Sequence, residues 1–325
     1  MEYRRLGDSG LLVSEVGLGT NTFGRRLDED GTRRVVDRAI DLGITFIDTA
    51  DVYGDGDSER FIGRALGTRR HQVVLATKFG SASGPTPHQR GGSRHWVIES
   101  VEASLRRLNT DYIDLYQTHR PDPTTPFEES MRALDDLVTS GKVRYIGCSN
   151  LAAWEVCQAM WVADKRSYVP FVSSQSRYNV LDRTIERELI PCCRSLGIGI
   201  IAFSPLNEGT LTGKYKVDEP PPPDSRHARN PGLSVKQFSP ELRRRAQALS
   251  ELAAEYGRPP VHLALAWLLN HPEVSTVIAG STKLEQLDQN VQAVGWTLSK
   301  DDIRRIEAAA NPQPVDANGV ALPVR

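Results

Sequence analysis

The strongest constraint on the fold is a repeated alternation of short apolar runs with longer segments of helical period, which continues to about residue 310. Eight runs have the length and the β-branched or aromatic content of buried strands. They are Glu15–Gly19, Thr45–Asp48, Val73–Lys78, Tyr112–His119, Val143–Ser149, Phe171–Gln175, Ile198–Ser204 and Ser275–Ala279. The segments between them, such as Asp30–Leu42 and Arg94–Leu108, have one apolar face and are predicted as helices.

This alternation predicts an α/β fold, a parallel (β/α)8 TIM barrel, with residues 1–325 forming a single domain. A doubly wound sheet is the competing arrangement. Its first strand-to-helix turn would carry a glycine fingerprint, and Gly17-Leu18-Gly19-Thr20 lacks the third glycine.

Several segments are predicted as additions to the barrel. An N-terminal β-hairpin is indicated by Tyr3–Leu6 and Leu11–Ser14 around a Gly-rich turn, and Lys300–Ala310 predicts an extra C-terminal helix capped by Ser299. Long loops rich in Gly and Pro are expected after strands three and seven, at Gly80–Ser93 and Pro205–Ser239. Residues 311–325 are predicted to be mostly coil.

The charge balance argues against polyanionic partners. There are 40 Lys plus Arg and 41 Asp plus Glu residues, so the net charge is -1, without the basic excess of a nucleic-acid binder or a membrane-surface protein. Met1–Arg5 does not begin a signal peptide and no apolar stretch has the length of a membrane span, so we expect a cytoplasmic protein. The four cysteines form no C-x-x-C pair and are expected to be reduced.

Four reactive side chains lie at or just after consecutive strand ends. Asp48, Lys78 and His119 end the second, third and fourth strand runs, and Tyr53 follows Asp48 after a short turn. All strand ends of such a barrel meet at one face, so these groups are predicted to converge. Lys78, held by Asp48, would lower the pKa of Tyr53 and make it a general acid, while His119 orients a substrate oxygen. Each residue alone also fits a structural role; the combination favours a site.

The later strand ends are polar but uncharged. Ser149, Asn150 and Gln175 suit hydrogen bonds to a flat carboxamide such as a nicotinamide ring, and Phe203 could stack on it; alternatively these residues only terminate strands. Two stretches could grip phosphate, namely Gly209–Lys214 with Arg226 beyond it, and Gly280–Lys283.

These residues carry a resemblance to the aldo-keto reductases over nearly the whole chain. The matching runs are Leu18–Thr20, Phe46–Gly54, Thr77-Lys78, Asp111–His119, Gly141–Asn150 and Ile278–Ser281. Gly209–Tyr215 followed by Ser225-Arg226, and Gly92–Arg94, are similar to the long-loop bacterial branch, which also resembles the potassium-channel β subunits.

The resemblance implies NAD(P)H-dependent carbonyl reduction, with Asp48, Tyr53, Lys78 and His119 as the catalytic tetrad. It implies cofactor contacts from Gly19, Thr20, Ser149, Asn150, Gln175, Phe203, Ser204, Pro205, Leu206, Gly209, Lys214, Arg226, Gly280, Ser281, Lys283, Gln286 and Asn290. In the better-known branch a Lys and an Arg grip the 2′-phosphate, but the matching positions here are Gly280 and Gln286. The remaining polar positions favour NADPH over NADH as cofactor.

The substrate is expected to be a small carbonyl compound, with small aldehydes, dicarbonyls and keto-sugars all open. Phe23, Tyr53, Trp96, His119 and Tyr178 are candidate substrate contacts, although Trp96 fits a helix core equally well.

Two other functions are compatible with a barrel of this kind. One is an NADP(H)-binding, redox-sensing interaction protein like the channel β subunits, which carry Asn where this chain has His119. The other is a metal-dependent enzyme, for which no strand-end cluster of His and carboxylates has ligand spacing. The sequence does not predict the oligomeric state.

Overall fold

Eight parallel strands form a closed barrel in the computed structural model, which describes residues 1–230, 232 and 238–311. The barrel strands are β3 (Val16–Gly19), β4 (Phe46–Asp48), β5 (Val74–Phe79), β6 (Ile113–Thr118), β7 (Val143–Ser149), β8 (Phe171–Arg177), β9 (Gly199–Phe203) and β10 (Val274–Gly280). They pair in chain order, and β10 closes the ring against β3. The predicted TIM barrel is therefore confirmed.

Helices surround the barrel, and all of them except the short helix Arg226–Arg229 contribute apolar side chains to the core. They are α1 (Glu29–Asp41), α2 (Asp57–Leu66), α3 (Arg94–Leu108), α4 (Phe127–Thr139), α5 (Ala153–Arg166), α6 (Leu189–Ser195), α7 (Arg226–Arg229), α8 (Pro240–Glu255), α9 (Pro260–Leu269), α10 (Leu284–Val291) and α11 (Lys300–Ala310). Ser299 caps α11 by accepting from the Asp302 backbone N–H, which confirms the predicted C-terminal helix and its cap. None of the described helices is long and apolar enough to cross a membrane.

A two-stranded hairpin, β1 (Tyr3–Arg5) and β2 (Leu12–Ser14), packs against the bottom of the barrel. Its Leu6 and Val13 join Phe46, Leu115 and other interior side chains in one buried cluster. Gly7 in the hairpin turn has φ +58, and a Cβ there would lie 2.3 Å from the Gly197 carbonyl oxygen, so the contact requires glycine.

The predicted long loops follow β5 and β9. Most of the apolar core lies between the strands and the surrounding helices. The hairpin lies at the end of the barrel where the strands begin, because Gly7 contacts Gly199 at the start of β9. The polar ends of the strands therefore lie at the opposite face. The loop after β9 contains a 3-10 segment, Asn207–Thr212, and then α7. Residues 231, 233–237 and the predicted coil tail from 312 onward lie outside the described residues.

Candidate active site

The ring order of the barrel brings Asp48, Lys78 and His119 together. Strands β4, β5 and β6 are neighbours, Asp48 is the last residue of β4, Lys78 is near the end of β5, and His119 directly follows β6. Parallel strands in register end at one face, so these side chains reach the same region.

A buried ion pair forms the base of this region. Lys78 Nζ lies 2.6 Å from Asp48 Oδ2, with the two side chains 0% and 2% exposed, and it also donates to the Thr49 carbonyl at 2.7 Å. Burial alone would lower the pKa of Lys78, but the Asp48 carboxylate and the Tyr53 phenol together outweigh it and the net pKa is raised. Lys78 therefore keeps its positive charge at neutral pH.

The second carboxylate oxygen of Asp48, Oδ1, is contacted by two side-chain amides, and neither contact was predicted from the sequence. Gln175 Nε2 donates to Asp48 Oδ1 at 2.7 Å, and Gln117 Nε2 lies 3.3 Å from the same oxygen. Gln117 is paired with Lys78 across β5 and β6. The alternation of β6 points Gln117 inward, which was the available signal for its role.

Tyr53 enters the site from a 3-10 turn, Tyr53–Gly56, in which Gly54 and Asp55 adopt left-handed backbone conformations with φ of 57° and 55°. Lys78 Nζ lies 5.1 Å from the centre of the Tyr53 ring. Burial raises the pKa of Tyr53 above its usual value, and the Lys78 charge opposes this rise without cancelling it. The expected net lowering of this pKa was wrong, because loss of hydration outweighs the attraction of one ammonium.

His119 is a neutral imidazole beside Tyr53. The two rings meet edge to face with centroids 5.8 Å apart, and His119 Nδ1 is 3.2 Å from the Ser81 hydroxyl. Burial, followed by the charges of Lys78 and Arg120, lowers the pKa of His119 to about 3. At neutral pH the ring can therefore donate or accept a hydrogen bond, but it carries no charge.

A second buried carboxyl, Asp51, lies behind this group and had no predicted role. Its Oδ2 accepts from Ser83 Oγ at 3.1 Å and from Ser100 Oγ at 3.3 Å. Burial and the nearby Glu59 carboxylate raise the pKa of Asp51 to about 7. Asp51 is thus a carboxyl that changes charge near neutral pH.

A cavity of about 1030 Å³ opens at these strand ends, and we call it the strand-end cavity. Of the tetrad residues, Asp48, Tyr53 and His119 line it, while Lys78 lies beneath. The predicted cofactor residues on its wall are Gly19, Thr20, Ser149, Asn150, Gln175, Phe203, Ser204, Pro205, Leu206, Gly209, Lys214, Arg226, Gly280, Lys283, Gln286 and Asn290.

Four predicted contacts do not reach this cavity. Ser281 is 0% exposed and does not line the cavity, and Phe23 is 0% exposed with its ring in the apolar core. Trp96 is 7% exposed and is packed in the first turn of α3. Tyr178 is fully buried against Trp267 and donates to Glu186 at 2.7 Å. These aromatic residues stabilise the fold and do not line the cavity.

The cavity wall is rich in cations, several of which were not predicted. Seven basic residues line it, namely Arg25, Arg26, Arg120, Lys214, Arg226, Arg229 and Lys283, against three acidic ones, Asp48, Glu208 and Asp224. Burial and then the charges of Arg26 and Lys283 lower the pKa of Lys214. Such crowding of like charges is relieved when an anion binds between them.

Glu208 organises part of this wall and was also missed. It lies 2.6 Å from Arg226 and 3.3 Å from Arg177, and it accepts from Ser204 Oγ at 2.6 Å. The left-handed backbone begins at Asn207, with φ of 45°, and continues through Glu208 at 57° and Gly209 at 91°. Asn207 and Gly209 were the sequence signals for this turn, because both residue types favour positive φ.

Comparisons with known proteins agree with this geometry. A profile of the Aldo/keto reductase family matches residues 15–311. The uncharacterized oxidoreductase YrpG of Bacillus subtilis is 39% identical, over 94% of this chain and 95% of its own length. A probable voltage-gated potassium channel subunit beta of Oryza sativa is 36% identical, over 97% and 98%. The L-glyceraldehyde 3-phosphate reductase of Escherichia coli O157:H7 is 35% identical, over 94% and 92%.

The match spans the barrel and all four strand-end side chains, and the relatives include named oxidoreductases of nearly equal length. The chain therefore belongs to the aldo/keto reductase family of NAD(P)H-dependent oxidoreductases.

Proposed function

We propose that this protein is an NADPH-dependent reductase that converts aldehyde or ketone carbonyls to alcohols. The observation that carries the proposal is the group at the floor of the strand-end cavity. A phenol, Tyr53, stands beside the buried Lys78–Asp48 pair and beside the neutral imidazole of His119. This combination can give a proton to a carbonyl oxygen and stabilise the charge that is left behind.

Tyr53 is the proton donor in this mechanism. A nicotinamide cofactor held in the strand-end cavity beside Ser149, Asn150 and Gln175 would supply a hydride from its C4 position to the carbonyl carbon. Tyr53 Oη gives its proton to the carbonyl oxygen, and the raised pKa of Tyr53 keeps the phenol protonated at neutral pH until then. Lys78 stabilises the resulting phenolate, because its ammonium lies close to the ring and is shielded from water. His119 hydrogen-bonds the same carbonyl oxygen and orients it.

The residues at the ends of β7 and β8 fit a carboxamide. Asn150 Nδ2 already donates a hydrogen bond to the His119 carbonyl oxygen at 3.0 Å, and Gln175 Nε2 donates one to Asp48 Oδ1 at 2.7 Å. Their side-chain carbonyl oxygens therefore remain to accept from the carboxamide NH2 of a nicotinamide, and Ser149 offers a hydroxyl beside them. Phe203 supplies an aromatic face on the same wall.

The cation-rich wall supports NADPH over NADH. The cavity volume of about 1030 Å³ is at the upper end of ligand sites, as a dinucleotide requires. Its wall carries a basic excess although the whole chain has a net charge of -1. Lys214, Arg226 and Lys283 would hold the phosphates, and a cofactor with an additional 2′-phosphate gains most from this charge.

Arg120 supports substrates that carry an anionic group. It follows β6, which is diametrically opposite β10 in the ring, so it is separated from Lys283, which follows β10. It is exposed, lines the cavity next to His119 and has no ion-pair partner within residues 1–230 and 238–311. A phosphorylated aldehyde fits this charge, and the Escherichia coli relative is named for such a substrate.

The test is loss of reduced-cofactor absorbance with NADPH or NADH across aldehydes, dicarbonyls and keto-sugars. Tyr53→Phe should abolish turnover while NADPH affinity stays nearly unchanged, because only the transferable proton is lost. Tyr178→Phe is the matched control: it removes a phenol outside the cavity and should retain turnover. Retained reductase rates in Tyr53→Phe would refute the assignment of the proton donor.

The second candidate is an NADP(H)-binding, redox-sensing interaction protein, which the similarity to the rice channel subunit favours. His119 favours the reductase, because a neutral imidazole beside Tyr53 serves carbonyl orientation. Tight NADPH retention with no turnover across the whole panel would favour the sensing protein instead.

A further inference from the structure

Two cysteines on neighbouring helices lie in contact on the outside of the barrel. Cys157 on α5 and Cys192 on α6 are 35 positions apart in the chain, yet their sulfur atoms are only 3.2 Å apart. Cys192 Sγ also lies 3.6 Å from the Ala153 carbonyl oxygen, which fixes it over the first turn of α5. Both are free thiols in this structure.

Access to solvent separates this pair from the other two cysteines. Cys157 is exposed and Cys192 is half-buried, whereas Cys148 and Cys193 are both 0% exposed. An oxidant in solution can therefore reach Cys157 first, and the sulfur nearest to it belongs to Cys192. Cys148 and Cys193 lack such access and serve as internal references.

We propose that Cys157 and Cys192 form an oxidisable site that closes reversibly to an intramolecular disulfide joining α5 to α6. A disulfide has an S–S distance of about 2.05 Å, so the two sulfurs need to approach by only about 1.2 Å. That movement is within the reach of side-chain adjustment on two packed helices. Nothing in the proposed carbonyl reduction uses either thiol, so the inference is independent of it.

The oxidant is a peroxide, and the reaction proceeds in two steps. Cys157 sulfur attacks a peroxide oxygen, the O–O bond breaks, and Cys157 becomes a sulfenic acid as one water leaves. Cys192 sulfur then attacks the sulfenic sulfur; the S–S bond forms, the S–O bond breaks, and the hydroxyl leaves as a second water with the Cys192 proton. Two thiols are oxidised by two electrons in total, and one hydrogen peroxide is reduced to two waters.

The position of Cys192 also determines the fate of Cys157. An exposed sulfenic acid without a nearby thiol is oxidised further to sulfinic and sulfonic acids, which thiol reductants do not reverse. Because Cys192 is in contact with Cys157, condensation of the sulfenic acid with the Cys192 thiol competes with its further oxidation. We therefore expect Cys192→Ser to convert a reversible modification of Cys157 into an irreversible one.

The experiment treats the full-length protein with hydrogen peroxide, blocks remaining thiols and maps peptides without reduction. Trypsin with a Glu-specific protease separates Cys148 from Cys157, because Glu155 lies between them, and fragmentation distinguishes Cys192 from Cys193. Wild type should lose two of its four thiols to a Cys157–Cys192 link within one chain, and dithiothreitol should restore them. Cys157→Ser should keep its remaining thiols, and Cys192→Ser should accumulate sulfinic acid at Cys157.

Thermal unfolding gives a second readout. The oxidised wild type should unfold at a higher temperature than the reduced protein, because the link closes a loop between positions 35 apart. Neither serine variant should show this shift on peroxide treatment. A link to Cys193 or to another chain, further oxidation of Cys157 in wild type with no link, or retention of all four thiols would each overturn the proposal.

Discussion

The buried Asp48–Lys78 pair offers a direct test of the electrostatics of the site. Asp48→Asn keeps the shape of the side chain but removes the counter-ion of the Lys78 ammonium, whose side chain is 0% exposed. Unit charges at the observed 2.6 Å attract by about 6 kcal/mol at an effective dielectric of about 20, and desolvation offsets much of this. Loss of one partner should therefore cost about 3–5 kcal/mol of unfolding free energy, because the other charge stays buried and uncompensated.

The assay is guanidinium unfolding at pH 7 of Asp48→Asn, Lys78→Met and the double variant. The double variant removes both charges, so its loss should be smaller than the sum of the two single losses by at least about 2 kcal/mol. Arg64→Met is the control, because Arg64 pairs with Glu29 on the surface with both side chains about half exposed. Its loss should stay within about 0.5 kcal/mol. Additive losses at Asp48 and Lys78 would show that the two buried charges do not stabilise each other.

The pH dependence of these variants has a defined sign. In wild type the pKa of Lys78 is raised, so its contribution to stability is complete below the unfolded value of 10.5 and is lost at higher pH. In Asp48→Asn, burial is no longer opposed by the carboxylate and the pKa of Lys78 should fall. The stability of Asp48→Asn should then rise relative to wild type as the pH increases from 7 toward 10.

Three further predictions concern neighbouring groups. Because the pKa of Asp51 is raised to about 7 in the folded state, the contribution of Asp51 to the stability of the wild type falls as the pH rises from about 4 to 7. Asp51→Asn should gain on the order of 3 kcal/mol over wild type across that window in urea unfolding, and a constant difference would contradict it. The pKa of His119 is about 3, so a plot of kcat/KM against pH should show no inflection from His119 between pH 5 and 8. An inflection near pH 6.5 that disappears in His119→Gln would contradict this prediction. Arg120→Gln should raise KM for a phosphorylated aldehyde about tenfold and leave KM for a neutral aldehyde within about twofold; equal effects on both would remove the proposed role.

The barrel was predictable because its strands are buried on both faces and so read as continuous apolar runs. The predicted run Val143–Ser149 coincides with β7, and the other strand runs differ from the observed strands by one or two residues at their ends. β8 extends to Arg177, beyond its predicted end at Gln175, because Ser176 and Arg177 continue to pair with Ala202 and Phe203 of β9. Polar residues can continue the backbone hydrogen bonding between two strands, and a strand end of this kind cannot be predicted from the pattern of apolar residues.

The aromatic residues Phe23, Trp96 and Tyr178, which the sequence offered as candidate substrate contacts, are buried in the core of the structure. A large aromatic side chain near a strand end suits a substrate wall and a core equally well, because both bury apolar surface. The direction of each ring depends on the local turn and on neighbours distant in the chain. Tyr178, for example, packs on Trp267 and bonds to Glu186.

The kind of fold and the chemical groups at its active face follow from the sequence alone, because periodicity and strand-end position are local properties of the chain. How these groups are held depends on contacts between residues that are distant in the chain. The tertiary structure places the amides of Gln117 and Gln175 within hydrogen-bond distance of Asp48, and it brings Cys157 into contact with Cys192. It also reversed the expected shift in the pKa of Tyr53, because hydration lost on burial depends on every surrounding element and not on one neighbouring charge.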